Sequence, residues 1–459
     1  MALLAAPLIV TTACSSGGGS SAAPHSAVTL EIAMAANPQM EAIEKLTSDF
    51  QKQYPWITLK YDTLPENSLR PDIEKDVTTH ANQYQVIMLS GEENPIWAKN
   101  GWLVNLSSSY INKDPGYKVN DLTAMARATL SYNNDLYSVP FYSSSSFTMY
   151  NKAMFKAAGL TMPQNPTWTQ IAQLAAKLNN PAKGVSGICL RGLPGWGEQG
   201  APLDTVINAF GGSWFNNSWE PQITSPAFEK AVNFYVNLLK ADGEPGAASS
   251  GWEQCLPNFS SGKSAIWVDD TVFAESALAG AAQSGVGADN IGFAYSPSNL
   301  EQWTGWGWSW SLGIPTGLPK NVQDDAWDYL NWATGPNAAS LIASKVGVSD
   351  TPPGARYSTN SIPSWQKFAA PFMSLYTKQA DQAAAAYCRP TVQPVPYCGI
   401  QYVAIPQFED IGNYFTQEVS AAITGKSTVA AALSASQNYA TKLMKQTNYY
   451  GQTNLGHGY

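Results

Sequence analysis

Residues 28–61 read VTLEIAMAANPQMEAIEKLTSDFQKQYPWITLKY, and this stretch shows the pattern of the whole fold. The apolar run at 28–34 predicts a strand, and the apolar residues at helical spacing over 38–53 predict a helix. The alternation at 56–61 predicts a second strand, and after another helical segment 85–89 is typical of a buried parallel strand. Strands that alternate with helices in this way predict an open α/β sheet with right-handed crossovers.

Open α/β sheets bind ligands beyond the carboxyl ends of their strands. In this sequence Asn37 follows the first strand, and Glu92 and Glu93 follow the strand at 85–89. Because neighbouring parallel strands end at the same edge of a sheet, we expect these residues to lie beside one another at a cleft.

The pattern restarts after 137–151, YSVPFYSSSSFTMYN, which is predicted to be an extended crossing segment. The rest of the chain contains more predicted secondary structure than one sheet can hold. We therefore predict two α/β lobes with more than one crossing between them. The further predicted strands are 264–268, 290–295 and 310–315, and the further predicted helices are 168–178, 203–209, 226–240, 324–334, 406–424 and 428–445.

Composition excludes several classes of protein. Of the 459 residues, 44% are hydrophobic and 13% charged, so the chain is not disordered. The net charge of −8 and the absence of any Lys/Arg cluster argue against a nucleic-acid partner. No apolar run approaches the ~20 residues of a membrane-spanning helix. The 16 Trp and 22 Tyr beside so few charges suit a protein that handles an uncharged, hydroxyl-rich ligand.

The N-terminal segment predicts export. Residues 2–13 are apolar, Cys14 follows, and 15–27 is a Ser/Gly/Ala-rich tract. This order resembles a bacterial lipoprotein signal, in which the cysteine becomes the lipidated first residue, although a basic segment is missing and Thr11 stands where Leu is usual. We expect a lipid anchor on Cys14 at the extracytoplasmic face of the cell membrane, with 1–27 outside the fold.

The cysteines agree with an oxidising compartment. Removing Cys14 leaves four cysteines, for which three pairings are possible. Cys388–Cys398 is favoured because it is local and flanked by proline, which leaves Cys189–Cys255. A zinc site is the rival interpretation, but no C-x-x-C is present and none of the three His is near these cysteines, so we expect no metal.

Eight segments, in order along the chain, resemble one family. They are NPQMEAIEKLTSDF (37–50), NPIWAKNGWLVNL (94–106), PTWTQIAQLA (166–175), ICLRGLPGWGEQ (188–199), SSGKSAIWVDDT (260–271), WGWSWSLGIP (306–315), PPGAR (352–356) and PVPYCGIQYVAIPQF (394–408). The mature chain resembles the extracellular solute-binding proteins of bacterial ABC importers for carbohydrates, and within them the branch that binds polyols such as sorbitol and mannitol.

The resemblance implies a two-lobe periplasmic-binding-protein fold of the maltose-binding-protein-like type II, with hinge crossings and lobes that close around ligand. We assign 28–139 plus about 272–334 to lobe 1 and 140–271 plus about 335–459 to lobe 2. The resemblance also implies a monomer without a cofactor. Such a protein captures a polyol or small sugar and delivers it to membrane permease subunits, which a separate ATPase powers. The chain itself lacks the phosphate-binding G-x-x-x-x-G-K-[ST] motif.

A linear polyol carries hydroxyls that both donate and accept, so charged side chains and an aromatic face suit it. A hydrogen bond to a charged group contributes about 1.5–3 kcal/mol. Adjacent acids on a strand point in opposite directions, so of Asp269 and Asp270 we expect Asp270 to face the cleft. The polar candidates are Glu92, Glu93, Arg191, Glu198, Asp269 and Asp270; the aromatic candidates are Trp196, Trp306 and Trp308; the matched segments add Asn37, Gln39, Tyr142, Ser144, Arg356, Tyr402 and Gln407.

Alternatives remain open at this point. Relatives usually carry an Asp at the position of Gln39 and an acid within the segment that matches 141–146. Here Gln39 and residues 143–146 are neutral, so the resemblance leaves the exact solute undecided. An exported glycoside hydrolase could use Glu92, Glu93 and Asp270 as paired carboxylates, although no barrel-like repeat of strands is present. An oligosaccharide-binding protein of the same fold would need a longer cleft. The tryptophans could also be ordinary core residues.

Overall fold

The computed structural model describes residues 26–299, 305–388 and 394–453, and its strands there form two larger sheets and one hairpin. The five-stranded sheet contains, in spatial order, β2 (Ile57–Leu64), β1 (Val28–Ala35), β3 (Val86–Ser90), β11 (Trp308–Gly313) and β6 (Ser138–Ser144). The four-stranded sheet contains β10 (Ile291–Tyr295), β7 (Ser146–Asn151), β9 (Ser264–Asp270) and β8 (Ser186–Cys189). The hairpin pairs β4 (Ser131–Tyr132) with β5 (Asp135–Leu136).

Helices cover both sheets. The first third of the chain contains α1 (Pro38–Glu44), α2 (Thr47–Gln53), α3 (Glu66–Thr79), α4 (Glu93–Lys99), α5 (Leu106–Ser109) and α6 (Ala124–Leu130). The middle contains α7 (Lys152–Ala157), α8 (Trp168–Leu178), α9 (Gly200–Ala209), α10 (Pro226–Asp242), α11 (Trp252–Ser260) and α12 (Ala274–Ser284). The last part contains α13 (Lys320–Thr334), α14 (Ala338–Lys345), α15 (Pro363–Ala369), α16 (Met373–Ala386), α17 (Phe408–Ile423) and α18 (Val429–Met444). None of the helices in the described ranges has the length and apolarity needed to cross a bilayer.

The first sheet has the parallel centre that the sequence predicts. Strand β1 pairs in parallel with both β2 and β3, and β11 then joins the sheet antiparallel to β3 and β6. The helix predicted over 38–53 is instead two helices, α1 and α2. At the break the Leu46 amide donates to the Ile43 carbonyl at 3.0 Å, and Leu46 itself is buried between the two helices. Elsewhere the predicted elements are present with ends moved by a few residues.

The chain crosses between the sheets within the predicted extended segment. Strand β6 ends at Ser144 in the first sheet and β7 begins at Ser146 in the second, so the crossing falls at Ser145 rather than at 140. We call the part built on the five-stranded sheet the first lobe and the part built on the four-stranded sheet the second lobe.

The lobe boundaries predicted after residue 271 differ from the sheets. We expected about 272–334 in lobe 1, whereas β10 pairs antiparallel with β7 in the second sheet, and α12 packs on α11 and β10. Only from β11 onward does this part of the chain belong to the first lobe. The apolar pattern of β10 predicts a strand, but its partner is distant in sequence, so the pattern could not assign it to a sheet.

Both predicted disulfides are present, which confirms that pairing. Cys189–Cys255 joins the end of β8 to α11, and Cys388–Cys398 links the end of α16 to the segment before α17. Cys14, the predicted lipidation site, lies outside the described residues. Asn67 Nδ2 donates to the Pro194 carbonyl at 3.3 Å and Gln39 Nε2 to the Val272 carbonyl at 3.4 Å, so side chains of the first lobe touch the second lobe directly and the lobes lie closed on each other.

Candidate functional site

A small cavity lies between the two lobes. We call it the interlobe cavity. The first lobe lines it with Ala35, Ala36, Asn37, Glu66, Tyr142, Trp308 and Trp310, and the second lobe with Arg191, Gly197, Trp252, Asp270 and Phe273. Gln401, from the segment between α16 and α17, completes the lining. The cavity is therefore enclosed by side chains from both sheets.

Strand ends place the first-lobe side chains. Asn37 follows β1 and begins α1, where its side chain accepts a hydrogen bond from the Met40 amide at 3.0 Å. Glu66 follows the neighbouring strand β2 and opens α3. On β6 and β11 the register shifts between Trp310 and Ser311, and Tyr142 pairs with Trp310 beside this bulge. A bulge re-aims the side chains around it, which suits a site wall.

Glu66 is held in the first-lobe wall by Arg70, one helical turn further along α3. The Arg70 Nε and Nη2 atoms donate to Glu66 Oε1 at 3.0 and 2.8 Å. Arg70 also donates to Glu93, whose other oxygen accepts from the Ser90 amide at 2.7 Å. Although burial opposes its charge, the adjacent carboxylates raise the pKa of Arg70. Arg70 is thus a buried cation behind the wall, and the Glu66 carboxylate is the charge that faces the cavity.

Arg191 has the opposite arrangement in the second-lobe wall. Its guanidinium donates to both oxygens of Asp269, at 3.0 and 2.5 Å, and to the Gly197 carbonyl at 2.9 Å. Asp269 also accepts from the Trp267 indole at 2.9 Å and from the Asp270 amide at 2.7 Å. Asp269 is therefore saturated with donors away from the cavity, while Arg191 lines it.

Asp270 faces the cavity, as expected for one of the two adjacent acids. Its carboxylate accepts from the Ser144 hydroxyl at 2.8 Å, the Trp306 indole at 3.2 Å and the Val272 amide at 2.8 Å. Burial raises the pKa of Asp270 to about 7 even against these hydrogen bonds. Because Ser144 belongs to β6 and Asp270 to β9, these bonds also join the two lobes at the crossing.

Aromatic rings line the cavity from both lobes. Trp308 and Trp310 meet edge to face with ring centroids 5.2 Å apart on the first-lobe side. On the second-lobe side Trp252 stacks on Phe273 at 5.0 Å, and Phe273 stacks on Trp267 at 5.4 Å. The Tyr142 hydroxyl lies among them and makes no hydrogen bond to any residue that the structure describes. These groups present apolar faces beside three charged ones.

Several predicted site residues lie directly behind the cavity instead of lining it. Trp306 is fully buried and donates to Asp270, so it supports a carboxylate and has no free face for stacking. Ser144 donates to the same carboxylate. Trp196 and Tyr402 pack against the ring of Trp308 at 6.0 and 5.8 Å between centroids.

Two predicted acids also lie behind the cavity. Glu198 is buried 3.9 Å from Arg191, and burial raises its pKa to about 8. Glu92 is buried beside Glu93, and burial followed by the charge of Glu93 raises the pKa of Glu92 well above its ordinary value. Neither side chain lines the cavity.

Three other predicted residues lie elsewhere. Arg356 is buried in the first lobe, where it donates to the Thr334 and Lys118 carbonyls at 2.7 and 3.2 Å. Gln407 accepts from the Tyr449 hydroxyl on an outer groove. Gln39 is fully buried and donates to the Val272 carbonyl of the other lobe at 3.4 Å. Their segments were matched by resemblance alone, and matching a segment does not show which side chain faces a ligand.

Five polar or aromatic residues of the lining were not predicted from the sequence: Glu66, Trp310, Trp252, Phe273 and Gln401. Glu66 had a usable signal, because it follows a parallel strand at the same sheet edge as Asn37. Trp310 belongs to the alternating tryptophans and pairs with the predicted Tyr142. Trp252 and Phe273 come together only through tertiary packing, so no local sequence pattern predicts that they line the cavity.

Metal-ligating side chains gather at one place within the described residues: Cys189, Glu244 and Cys255. Both thiols are already joined in a disulfide there, so this cluster offers no pair of thiolates to an ion.

The chain belongs to the family of bacterial extracellular solute-binding proteins, whose model matches residues 36–340. It is 39% identical over 424 residues to a mannitol-binding protein of Pseudomonas aeruginosa, covering 92% of this chain and 94% of that protein.

Solved structures agree with this family. An ABC transporter solute-binding protein from Agrobacterium vitis S4 with bound D-mannitol has a TM-score of 0.87 and 42% identity, covering 92% of this chain and 99% of that one. The maltose-bound MalE3 of T. maritima shares the fold alone, with a TM-score of 0.74 and 19% identity, covering 91% of this chain and 100% of that one. The expected two-lobe, maltose-binding-protein-like fold is therefore confirmed.

Proposed function

We propose that this protein captures a neutral polyol in the interlobe cavity and delivers it, chemically unchanged, to the permease of an ABC transporter. The observation that carries the proposal is the lining itself: Glu66 and Asp270 offer charged acceptors, Arg191 offers donors, and Trp308 and Trp310 offer apolar faces. Each hydroxyl of a polyol both donates and accepts, so it can bond to either kind of group, and its carbon chain can lie against the rings.

The enclosure of the cavity favours a monomeric ligand. Side chains from both lobes surround a small space and leave no long groove between them. An oligosaccharide would need an open groove with further aromatic faces. The similarity to a mannitol-binding protein and to a D-mannitol complex makes D-mannitol the first ligand to test.

The carboxylates support binding better than hydrolysis. Of the three acids that a hydrolase reading would use, Glu93 is engaged by Arg70 and Ser90 and Glu92 does not line the cavity. Only Asp270 lines it, and its oxygens already accept three hydrogen bonds.

Isothermal titration calorimetry of the purified protein tests the proposal. The panel contains D-mannitol, sorbitol, ribitol, xylitol, D-glucose and maltose, with nitrophenyl glycosides assayed in parallel for turnover. We expect a dissociation constant near micromolar, about −8 kcal/mol, for at least one alditol and no release of nitrophenol. Binding of maltose but no alditol would favour the oligosaccharide alternative, and turnover of a glycoside would favour the enzyme.

We further propose that the protein works outside the cytoplasm as a monomer, held to the membrane through lipid on Cys14. Incorporation of labelled palmitate in cells, compared with a Cys14→Ser variant, tests this. We expect the variant to lose the label and to leave the membrane fraction. Labelling that persists in the variant would contradict it.

A further inference from the structure

Arg70 contacts both lobes, although the two carboxylates to which it donates hydrogen bonds belong to the first lobe. Its side chain is 5% exposed, and its guanidinium donates to Glu66 and Glu93 of the first lobe. The Arg70 Cζ atom lies 4.3 Å from the ring centroid of Trp196, which belongs to the second lobe, and 4.6 Å from that of Trp310. The cation is thus placed between aromatic rings from the two lobes.

Trp196 is held there by ring contacts and its own backbone. Its indole Nε1 makes no hydrogen bond to any described residue, whereas its amide donates to Asn413 at 3.1 Å. A cation–π contact gains strength when the cation is withdrawn from water, as Arg70 is. The contact between Arg70 and Trp196 therefore joins the two lobes directly.

The glycines on either side of Trp196 allow this approach. A Cβ atom at Gly197 would overlap Glu66 Oε1, and one at Gly195 would lie 2.9 Å from Asn67 Oδ1. Glu66 cannot move aside freely, because Arg70 holds that same oxygen with two hydrogen bonds. By contrast, a Cβ at Gly200 would meet nothing closer than 3.6 Å. The loop at 195–197 therefore fits directly on the first turn of α3.

We propose that Arg70, Trp196 and Gly197 form an interlobe latch that sets the rate at which bound ligand leaves. The inference rests on the proposed function of the cavity, since Glu66 is shared: it faces the ligand and anchors Arg70. A ligand hydroxyl that bonds to Glu66 keeps the carboxylate in place, and the carboxylate keeps Arg70 against Trp196. Arg70 is a positioning residue, because it acts through Glu66 and does not line the cavity. Contacts made only in the closed state slow dissociation more than they change association.

The Gly197→Ala variant tests the latch, with Gly200→Ala as the matched control. Stopped-flow release of D-mannitol should be at least about tenfold faster for Gly197→Ala, because the added methyl displaces the Glu66 carboxylate from Arg70. The association rate should change by no more than about threefold. The Gly200→Ala variant should match the wild type in both rates. Equal release rates for the two variants would overturn the latch.

A double-mutant cycle of Arg70→Met and Trp196→Leu tests the pair itself. Each single variant should release ligand about tenfold faster, and the double variant only slightly faster than either. The Arg70→Lys variant should recover part of the slow release, since it keeps the cation. Strictly multiplicative effects, or release rates that follow only the melting temperature of the ligand-free variants, would overturn the proposal.

Two outcomes separate the latch from the proposed function. If D-mannitol binds the wild type but every variant releases it at the wild-type rate, the latch fails and polyol binding stands. If no alditol binds, the proposed function fails, and small-angle scattering of ligand-free protein decides on the latch. Arg70→Met and Gly197→Ala should then have a larger radius of gyration than Gly200→Ala, and equal radii would overturn the latch.

Discussion

The two walls of the interlobe cavity are built from the same kind of ion pair turned in opposite directions. In the first-lobe wall the Glu66 carboxylate faces the cavity and Arg70 stands behind it. In the second-lobe wall Arg191 faces the cavity and Asp269 stands behind it. Each pair is therefore satisfied within the protein while one member stays available to a ligand.

The opposite orientation of the two ion pairs allows a protein with few charges to offer both a carboxylate and a guanidinium to a neutral ligand. An isolated buried charge is costly, and a pair with excellent geometry and additional hydrogen bonds reduces that cost. A lining that presents charges of both signs suits hydroxyl groups, which accept from Arg191 and donate to Glu66 or Asp270. A lining with charges of one sign would select a charged ligand instead.

The largest expected effect comes from removing the cation of the second wall. Arg191→Ala leaves Asp269 buried without its partner, so the free energy of unfolding should fall by about 3–5 kcal/mol. The dissociation constant for D-mannitol should rise at least about tenfold, because a charged donor is lost. Denaturant titration and calorimetry measure the two effects.

Arg356→Ala is the control for Arg191→Ala. Arg356 is also a buried arginine, with the nearby carboxylate of Asp121 at 3.4 Å, but it lies away from the cavity. This variant should lose stability and keep its affinity within about twofold. If Arg191→Ala binds D-mannitol as tightly as the wild type, Arg191 does not contact the ligand and its role is structural.

The next effect concerns the aromatic face of the first wall. Trp308→Ala should weaken D-mannitol binding at least about tenfold, because an apolar face of the ligand loses its cover. Trp365→Ala removes an equally buried tryptophan on α15, outside the cavity, and should affect the melting temperature alone. Equal affinities for the two variants would contradict the assigned role of Trp308.

A pH titration examines Asp270. Its folded-state pKa of about 7 lies above the ordinary 3.8, so this group lowers the free energy of unfolding as pH rises between those values. A ligand hydroxyl donates to the ionised form, so affinity should rise by up to about tenfold between pH 6 and pH 8. Glu198 and Glu409 titrate in the same pH range, because burial raises their pKa values to about 8 and about 7.

The Asp270→Asn variant isolates the share of Asp270 in that pH dependence. Its affinity should be lower at pH 8 and should lose most of the slope between pH 6 and pH 8. A slope as steep as that of the wild type would assign the titration to one of the other acids.

The smallest effect is expected from Tyr142→Phe. The hydroxyl has no partner among the described residues, so stability should change by less than about 0.5 kcal/mol. Affinity should fall about fivefold, the value of one neutral hydrogen bond. Tyr117→Phe should lower the stability and leave the affinity unchanged, because the Tyr117 hydroxyl lies 3.1 Å from Thr334 Oγ1 inside the first lobe.

Much of the fold could be predicted because hydrophobic periodicity is local. The strands at 28–34 and 85–89 and the helix at 168–178 are present with small shifts at their ends. Strand partners are not local, and so β10 was assigned to the wrong lobe. The break between α1 and α2 falls where Leu46 is buried, and the apolar spacing over 38–53 continues through it, so the spacing could not reveal it.

The lining of the interlobe cavity could be predicted in part, from side chains that follow strand ends and from segments matched by resemblance. Asn37, Tyr142, Arg191, Asp270 and Trp308 were all named from the sequence and all line the cavity. The direction of each ion pair was not predictable, because it depends on which neighbour saturates which oxygen. For the same reason Asp269 and Glu93 were assigned to the ligand although they anchor arginines.

A crystal structure of the complex with D-mannitol would show whether one ligand bridges the two walls. We expect one mannitol molecule in the interlobe cavity, hydrogen-bonded both to Glu66 of the first wall and to Arg191 of the second, with Trp308 against its carbon chain. A molecule bound outside this cavity, or touching only one of the two walls, would contradict it.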